Sequence, residues 1–245
     1  MEELTLLQKC FFEFIGTAIM ILLGDGSVAC TNLEGSKGKG GGWIVVTIAW
    51  GLAVMCGVFV AGPYSGAHLN PAVTIGLATA GKFCWSEVVG YVTAQLLGAV
   101  TGALLVYLMY RKHLEVTENA DVKLGVFCTT PAIRDFRSNL ISETIGTALL
   151  VFIILMLGEG YNRPWVHLGS ISAFPVSMLI MAIGMSLGGT TGYAINPARD
   201  LGPRLVHQMM PITGKRDSDW SYAWIPVTGP IIGCLIAALL YRAIF

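Results

Sequence analysis

Charge is what this sequence has least of. Asp, Glu, Lys and Arg make up 12% of its 245 residues, against about 25% in an ordinary soluble domain. The 15 acidic and 15 basic side chains cancel to a net charge of zero. No basic arm or run is present that would neutralise a phosphate backbone, which argues against nucleic acid as a partner. The six cysteines, at 10, 30, 56, 84, 128 and 234, lack metal-ligand spacing and mostly fall in apolar segments, so they read as small buried hydrophobes. The four histidines (68, 113, 167 and 207) form no nucleophile or metal constellation with nearby acids or thiols, so no enzyme, metal or cofactor is expected. The opening Met1-Glu2-Glu3 lacks the basic cluster of a cleavable signal, and Glu13 interrupts the first apolar stretch, so that stretch is expected to be retained.

Apolar sequence fills the space that charge leaves. Hydrophobic residues reach 54% and mean hydropathy is +0.68. Apolar stretches run at about 10–24, 43–62, 86–109, 140–157, 169–188 and 223–241, each close to the roughly 20 helical residues that cross a bilayer. An all-α integral membrane protein with six spanning helices is predicted. Five of the six tryptophans (43, 85, 165, 220 and 224) lie near helix ends, as interface anchors do, whereas Trp50 lies well inside a span.

Two copies of one phrase interrupt this pattern. Asn70-Pro71-Ala72 follows Gly66-Ala67-His68, and Asn196-Pro197-Ala198 follows Gly192-Tyr193-Ala194, 126 positions later. Asn is a preferred helix N-cap, and Pro, having no N–H to lose, suits the next position. Each motif therefore starts a helix, and the segments that follow, 73–80 and 199–207, are too short to span and read as half-helices. The chain ahead of each motif is expected to be non-helical, which is tolerable at membrane depth only where its free carbonyls face a polar cavity. Those of Gly66, Ala67, His68, Gly192, Tyr193 and Ala194 would form a ladder of acceptors.

The halves repeat beyond the motif. Glu13-x-x-Gly-Thr near the start of the first stretch answers Glu143-x-x-Gly-Thr near the start of the fourth. Three spans per half is an odd number, so the second copy must enter the membrane inverted, and paired broken helices of this kind line a path for solute. The expected organisation is a single channel domain over 1–245, with repeats at about 8–110 and 139–245 joined by a loop at about 111–138. The half-helices would meet N-terminus to N-terminus near the midplane, each end carrying about half a positive charge. The Asn70 and Asn196 amides would donate to a solute oxygen there. Ala94-x-x-x-Gly98-x-x-x-Gly102 and Gly229-x-x-x-Gly233 allow close helix packing.

Arg199 breaks the symmetry. It stands at the third position of the second half-helix, where a cation opposes the helix dipole and a charge near the membrane centre costs at least about 2.5–3.5 kcal/mol. Its counterpart in the first half is Val73. A rule kept in one copy and broken in the other points to function at the broken copy. Asp200 is placed to offset that charge and to pair with Arg204 at i,i+4.

The two Asn-Pro-Ala motifs, the Glu-x-x-Gly-Thr repeats and the run Asn196-Pro197-Ala198-Arg199-Asp200 resemble the aquaporin family, and the Arg-Asp ending, Arg204 and Pro226-Val227 resemble its glycerol-facilitator branch. The resemblance covers about 11–245. It implies a right-handed bundle of six spans and two half-helices and a homotetramer in the cell membrane with both termini cytoplasmic. It also implies a selectivity ring of Trp50, Gly184, Tyr193 and Arg199, with Gly184 leaving room that a histidine fills in water-selective relatives. Tyr193 departs from the phenylalanine usual in the branch. Glu13 and Glu143 are implied to hold backbone groups of the half-helix loops, and Gln95, on the third apolar stretch, is expected to satisfy loop backbone groups as well. The implied activity is passive conduction of glycerol and other small neutral solutes, with water, while ions and protons are excluded.

Other readings stay open at this point. The alternative is a channel tuned mainly to water or to another small neutral solute such as a protonated small acid or hydrogen peroxide. An ion-coupled secondary transporter needs midplane groups for an ion or proton, and few are available beyond the two glutamates; a structural membrane protein would share the fold with little transport. The implied orientation puts Lys9, Lys82, Arg163 and Arg242 inside and the other eleven Lys and Arg outside, the reverse of a simple positive-inside count. Arg199 and Arg204 fall within the membrane, however, and several others lie in the 110–139 loop.

Overall fold

A computed structural model of the chain describes residues 4–159 and 173–245. Among the described residues every regular element is a helix: α1 (Leu6–Asn32), α2 (Gly42–Ser65), α3 (Pro71–Thr79), α4 (Trp85–Val116), α5 (Ala120–Phe127), α6 (Phe136–Leu157), α7 (Phe174–Leu187), α8 (Pro197–Met209) and α9 (Ile225–Ile244). Five of these, α1, α2, α4, α6 and α9, are long and apolar enough to cross a membrane. At 1.5 Å per residue, the 20 residues of α9 already reach about 30 Å.

The sixth expected span is described only as α7, an apolar helix of 14 residues. The start of the 169–188 stretch lies outside the described residues, as do Arg163, Trp165 and His167. The expected loop at 111–138 is a correction of a different kind. Its first residues continue α4, and it then forms α5, capped by the Asn119 side chain. Leu124, Val126 and Phe127 of α5 are fully buried, so a segment too short to span is nonetheless part of the core.

The molecule is turned inside out relative to a soluble bundle. Leu7, Val89, Leu108 and Leu239 are among the large apolar side chains on its exterior, whereas Glu13, Asp25, Glu143, Asp200, Arg199 and Arg204 are buried. Lipid offers no hydrogen bonds, so polar groups must find partners within the protein. Trp43, Trp85, Trp220 and Trp224 are exposed at or just before helix starts, while Trp50 is buried. Of the six cysteines only Cys128 and Cys234 are buried; Cys84, the extended residue just before α4, is exposed and the other three are half-buried.

Close helix pairs recur in the two halves. A Cβ on Gly98 would lie 2.3 Å from the Phe14 carbonyl oxygen, and one on Gly233 would lie 2.4 Å from that of Thr144. The α1–α4 and α6–α9 contacts therefore bring backbone against backbone, which is the close approach that small residues at i,i+4 permit. These pairs fix Glu13 and Glu143, the residues immediately before Phe14 and Thr144, beside the two half-helices.

Candidate functional site

Each half-helix starts at its proline and is capped by the asparagine before it. Asn70 Oδ1 accepts from the Ala72 N–H at 2.9 Å, and Asn196 Oδ1 accepts from the Ala198 and Arg199 N–H groups at 3.0 and 3.2 Å. The chain ahead of each cap follows the same unusual path twice. Gly66, Ala67 and Leu69 have φ of 84°, 50° and 51°, and their counterparts Gly192, Tyr193 and Ile195 have φ of 78°, 38° and 42°. A non-glycine residue in the left-handed region costs roughly 1–3 kcal/mol and persists only where its surroundings over-determine it.

Two buried carboxylates supply that constraint. Glu13 accepts from the His68 and Leu69 N–H groups, both at 2.8 Å, and Glu143 accepts from those of Ala194 and Ile195 at 3.0 and 2.8 Å. The Ser65 hydroxyl donates to Glu13 at 2.7 Å, and Thr191, 126 positions on, is the side-chain partner of Glu143. Gln95 does not reach loop backbone as the sequence suggested; its Nε2 donates to Glu13 Oε2 at 2.8 Å and to Thr74 Oγ1 at 2.9 Å. It orients the clamp from behind, because Glu13 already occupies the loop N–H groups.

The two asparagines are linked across the repeat. Asn70 Nδ2 donates to the Ile195 carbonyl at 2.8 Å, and Asn196 Nδ2 donates to the Leu69 carbonyl at 2.9 Å. Each amide nitrogen has two N–H donors, so each keeps one for the space in front of it. That space is a cavity of about 600 Å³ lined by Gly66, Ala67, His68, Asn70, Ala194 and Asn196 on its polar side. Apolar side chains, among them Met20, Val54, Leu150 and Ile180, form the opposite wall. Pro71, Ala72, Pro197 and Ala198 are buried behind the asparagines and do not line it.

A second cavity of about 220 Å³, lined by Gly192, Trp43, Thr129 and others, lies beyond the first. Among the described residues, three line both cavities: Trp50, Tyr193 and Arg199. The Arg199 guanidinium carbon stands 4.1 Å from the centre of the Trp50 ring, and Tyr193 meets Trp43 edge-on with centroids 5.8 Å apart. The border that the two cavities share is thus formed by two aromatic side chains and one cation.

The family model described as major intrinsic protein matches residues 1–241. This chain belongs to the major intrinsic protein family. It is 54% identical to the "Probable glycerol uptake facilitator protein" of Thermotoga maritima, with 95% of this chain and 97% of that one covered. It is 52% identical to the "Glycerol uptake facilitator protein" of Streptococcus pneumoniae, with 96% and 99% covered. The X-ray structure of the aquaglyceroporin from Plasmodium falciparum superposes with a TM-score of 0.84 at 31% identity, covering 97% of this chain and 96% of that one.

In this major intrinsic protein Gly184 lines neither cavity. A Cβ there would lie 2.7 Å from Tyr193 Cζ and 2.8 Å from its hydroxyl oxygen, so the room left by the glycine is filled by Tyr193. The hydroxyl is buried without a hydrogen-bond partner among the described residues. It faces α7 at Gly184.

Arg199 is not offset by Asp200. Asp200 pairs with Arg204, its Oδ1 2.7 Å from Nε and its Oδ2 3.0 Å from Nη2, and accepts from the Thr129 N–H and hydroxyl. Arg204 also donates to the carbonyls of Thr129 and Ser218. This fully buried cluster ties α8 to the 128–130 and 218–219 segments. The partner of Arg199 is Asp25 of α1, whose Oδ1 lies 3.2 Å from Nη1. Sequence reading passed over Asp25, Thr74 and Thr129. The signal for Asp25 was present, since a carboxylate just past the apolar stretch 10–24, within a spanning helix, calls for a named partner.

Proposed function

We propose that this chain is a passive transmembrane channel conducting glycerol and other small neutral solutes, with water, while excluding ions and protons. The observation that carries the reading is that Trp50, Tyr193 and Arg199 together line both cavities. An aromatic corner suits a carbon backbone, and the arginine with the loop carbonyls suits hydroxyl groups. Gly184 belongs to the ring indirectly, as the seat of the Tyr193 ring. The carbonyls of Gly66, Ala67, His68, Gly192, Tyr193 and Ala194 serve as successive acceptors. One free N–H from each of Asn70 and Asn196 meets the solute where the half-helices begin, and this breaks a continuous proton wire.

Cations are repelled by the positive ends of α3 and α8. No coupling ion is needed, because Glu13 and Glu143 are occupied by loop amides and Asp200 by Arg204. The names of the relatives, which describe glycerol uptake facilitators, support the same solute. We further assign the chain to the cell membrane as a homotetramer with one passage per subunit, two inverted repeats and both termini cytoplasmic.

Stopped-flow swelling of proteoliposomes tests the reading. Glycerol permeability well above that of empty vesicles, with a five- or six-carbon polyol excluded, is the expected result. Equal entry of the longer polyol, or no glycerol entry above the lipid background, would reject it. A protonated small acid and hydrogen peroxide belong in the same assay as competitors for the role of principal solute.

A further inference from the structure

We infer that the dipeptide Gly24-Asp25 of α1 builds the ring from behind, and that Asp25 is a positioning residue that fixes Arg199 and cancels its charge. Neither residue lines a cavity. A Cβ on Gly24 would lie 2.4 Å from the six-membered ring of Trp50, so the glycine is the seat of the tryptophan. The next residue holds the arginine: Asp25 is fully buried, its Oδ1 is 3.2 Å from Arg199 Nη1, and its Oδ2 has no partner among the described residues. The guanidinium is therefore fixed by a carboxylate at one edge and stacked on Trp50 at 4.1 Å.

The pairing also crosses the repeat. Arg199 answers Val73 at the motif spacing of 126, and Asp25 answers Leu155 at the 130-residue spacing that relates Glu13 to Glu143. Each half thus contributes one unmatched charge, and the two meet. An unpaired arginine in the ring would attract anions; a paired one leaves donors for hydroxyl groups with little net charge. Asp25 is thereby a determinant of selectivity for neutral solutes over anions, a role that rests on the ring reading above.

Four proteins in proteoliposomes test this: wild type, Asp25→Asn, Arg199→Val and the double variant, each checked for insertion. The readouts are chloride entry by a chloride-quenched dye and the ratio of glycerol to water permeability. Asp25→Asn should raise chloride entry by about tenfold, the scale of one lost charge-assisted hydrogen bond, and should shift the ratio. Adding Arg199→Val should return chloride entry to the wild-type level, a rescue that general damage to the fold would not give. Wild-type chloride exclusion and ratio in Asp25→Asn, or chloride entry that persists in the double variant, would overturn the assignment. Asp25→Glu is the second variant: it keeps the charge but moves the carboxylate, so chloride should stay excluded while the ratio shifts, and an unchanged ratio there counts equally against it. If the double variant keeps the wild-type glycerol to water ratio, the ring reading itself fails; if that ratio changes while Asp25→Asn behaves as wild type, only the role of Asp25 fails.

Discussion

Tyr193 occupies the place where a side chain at residue 184 would stand: a Cβ on Gly184 would fall 2.7 Å from Tyr193 Cζ and 2.9 Å from Thr47 Cγ2. The glycine and the tyrosine are one structural unit, with the ring docked into the hollow of α7. Gly184→Ala should therefore push the ring toward the passage. Glycerol permeability should fall several-fold more than water permeability in stopped-flow swelling, and an equal fall in both would show that the ring had moved elsewhere.

Tyr193→Phe removes a hydroxyl that is buried and has no hydrogen-bond partner among the described residues. Such a group costs about 1–3 kcal/mol to bury, so the variant should be as stable as wild type or more so, with its midpoint of thermal unfolding in detergent unchanged or raised. Its solute ranking should match wild type, because the lost atom faces Gly184. Tyr193→Ala removes the wall itself and should admit a longer polyol.

Glu13→Gln and Glu143→Gln test the loop clamps. Each carboxylate accepts two backbone N–H bonds, and an amide offers one oxygen and a nitrogen that faces a donor. The expected loss is about 1–3 kcal/mol in each case, read as a lower unfolding midpoint. Glycerol flux per inserted protein should fall as well, because the left-handed loop backbone is no longer held. Retention of both properties would mean that the loops keep their path unaided.

Arg199→Val alone strands the Asp25 carboxylate in the protein interior, and breaking a buried pair by removing one partner costs about 3–5 kcal/mol. The single variant should insert poorly, and the Asp25→Asn/Arg199→Val double variant should recover much of that yield. Equal yields from the two would show that Asp25 gains little from the arginine.

Much of this architecture was legible in the sequence because membrane burial leaves coarse marks. Apolar stretches located the long helices, Asn-Pro fixed the half-helix starts, and the paired Glu-x-x-Gly-Thr phrases marked both clamps. What escaped was set by tertiary contact. The α5 segment has no spanning length and no repeat counterpart, so only its packing shows that it belongs to the core. Sequence spacing offered only the neighbouring Asp200 as a partner for Arg199 and passed over Asp25, because only the tertiary placement of α1 brings Asp25 within reach. The role of Gly184 depended in the same way on which direction the Tyr193 ring turned.

The most direct test of the central claim is glycerol movement in sealed proteoliposomes carrying an imposed proton or sodium gradient. The account predicts that labelled glycerol equilibrates to the same final level with either gradient or none, at a rate that rises nearly linearly through the millimolar range. Accumulation above the external concentration, driven by either gradient, would contradict it.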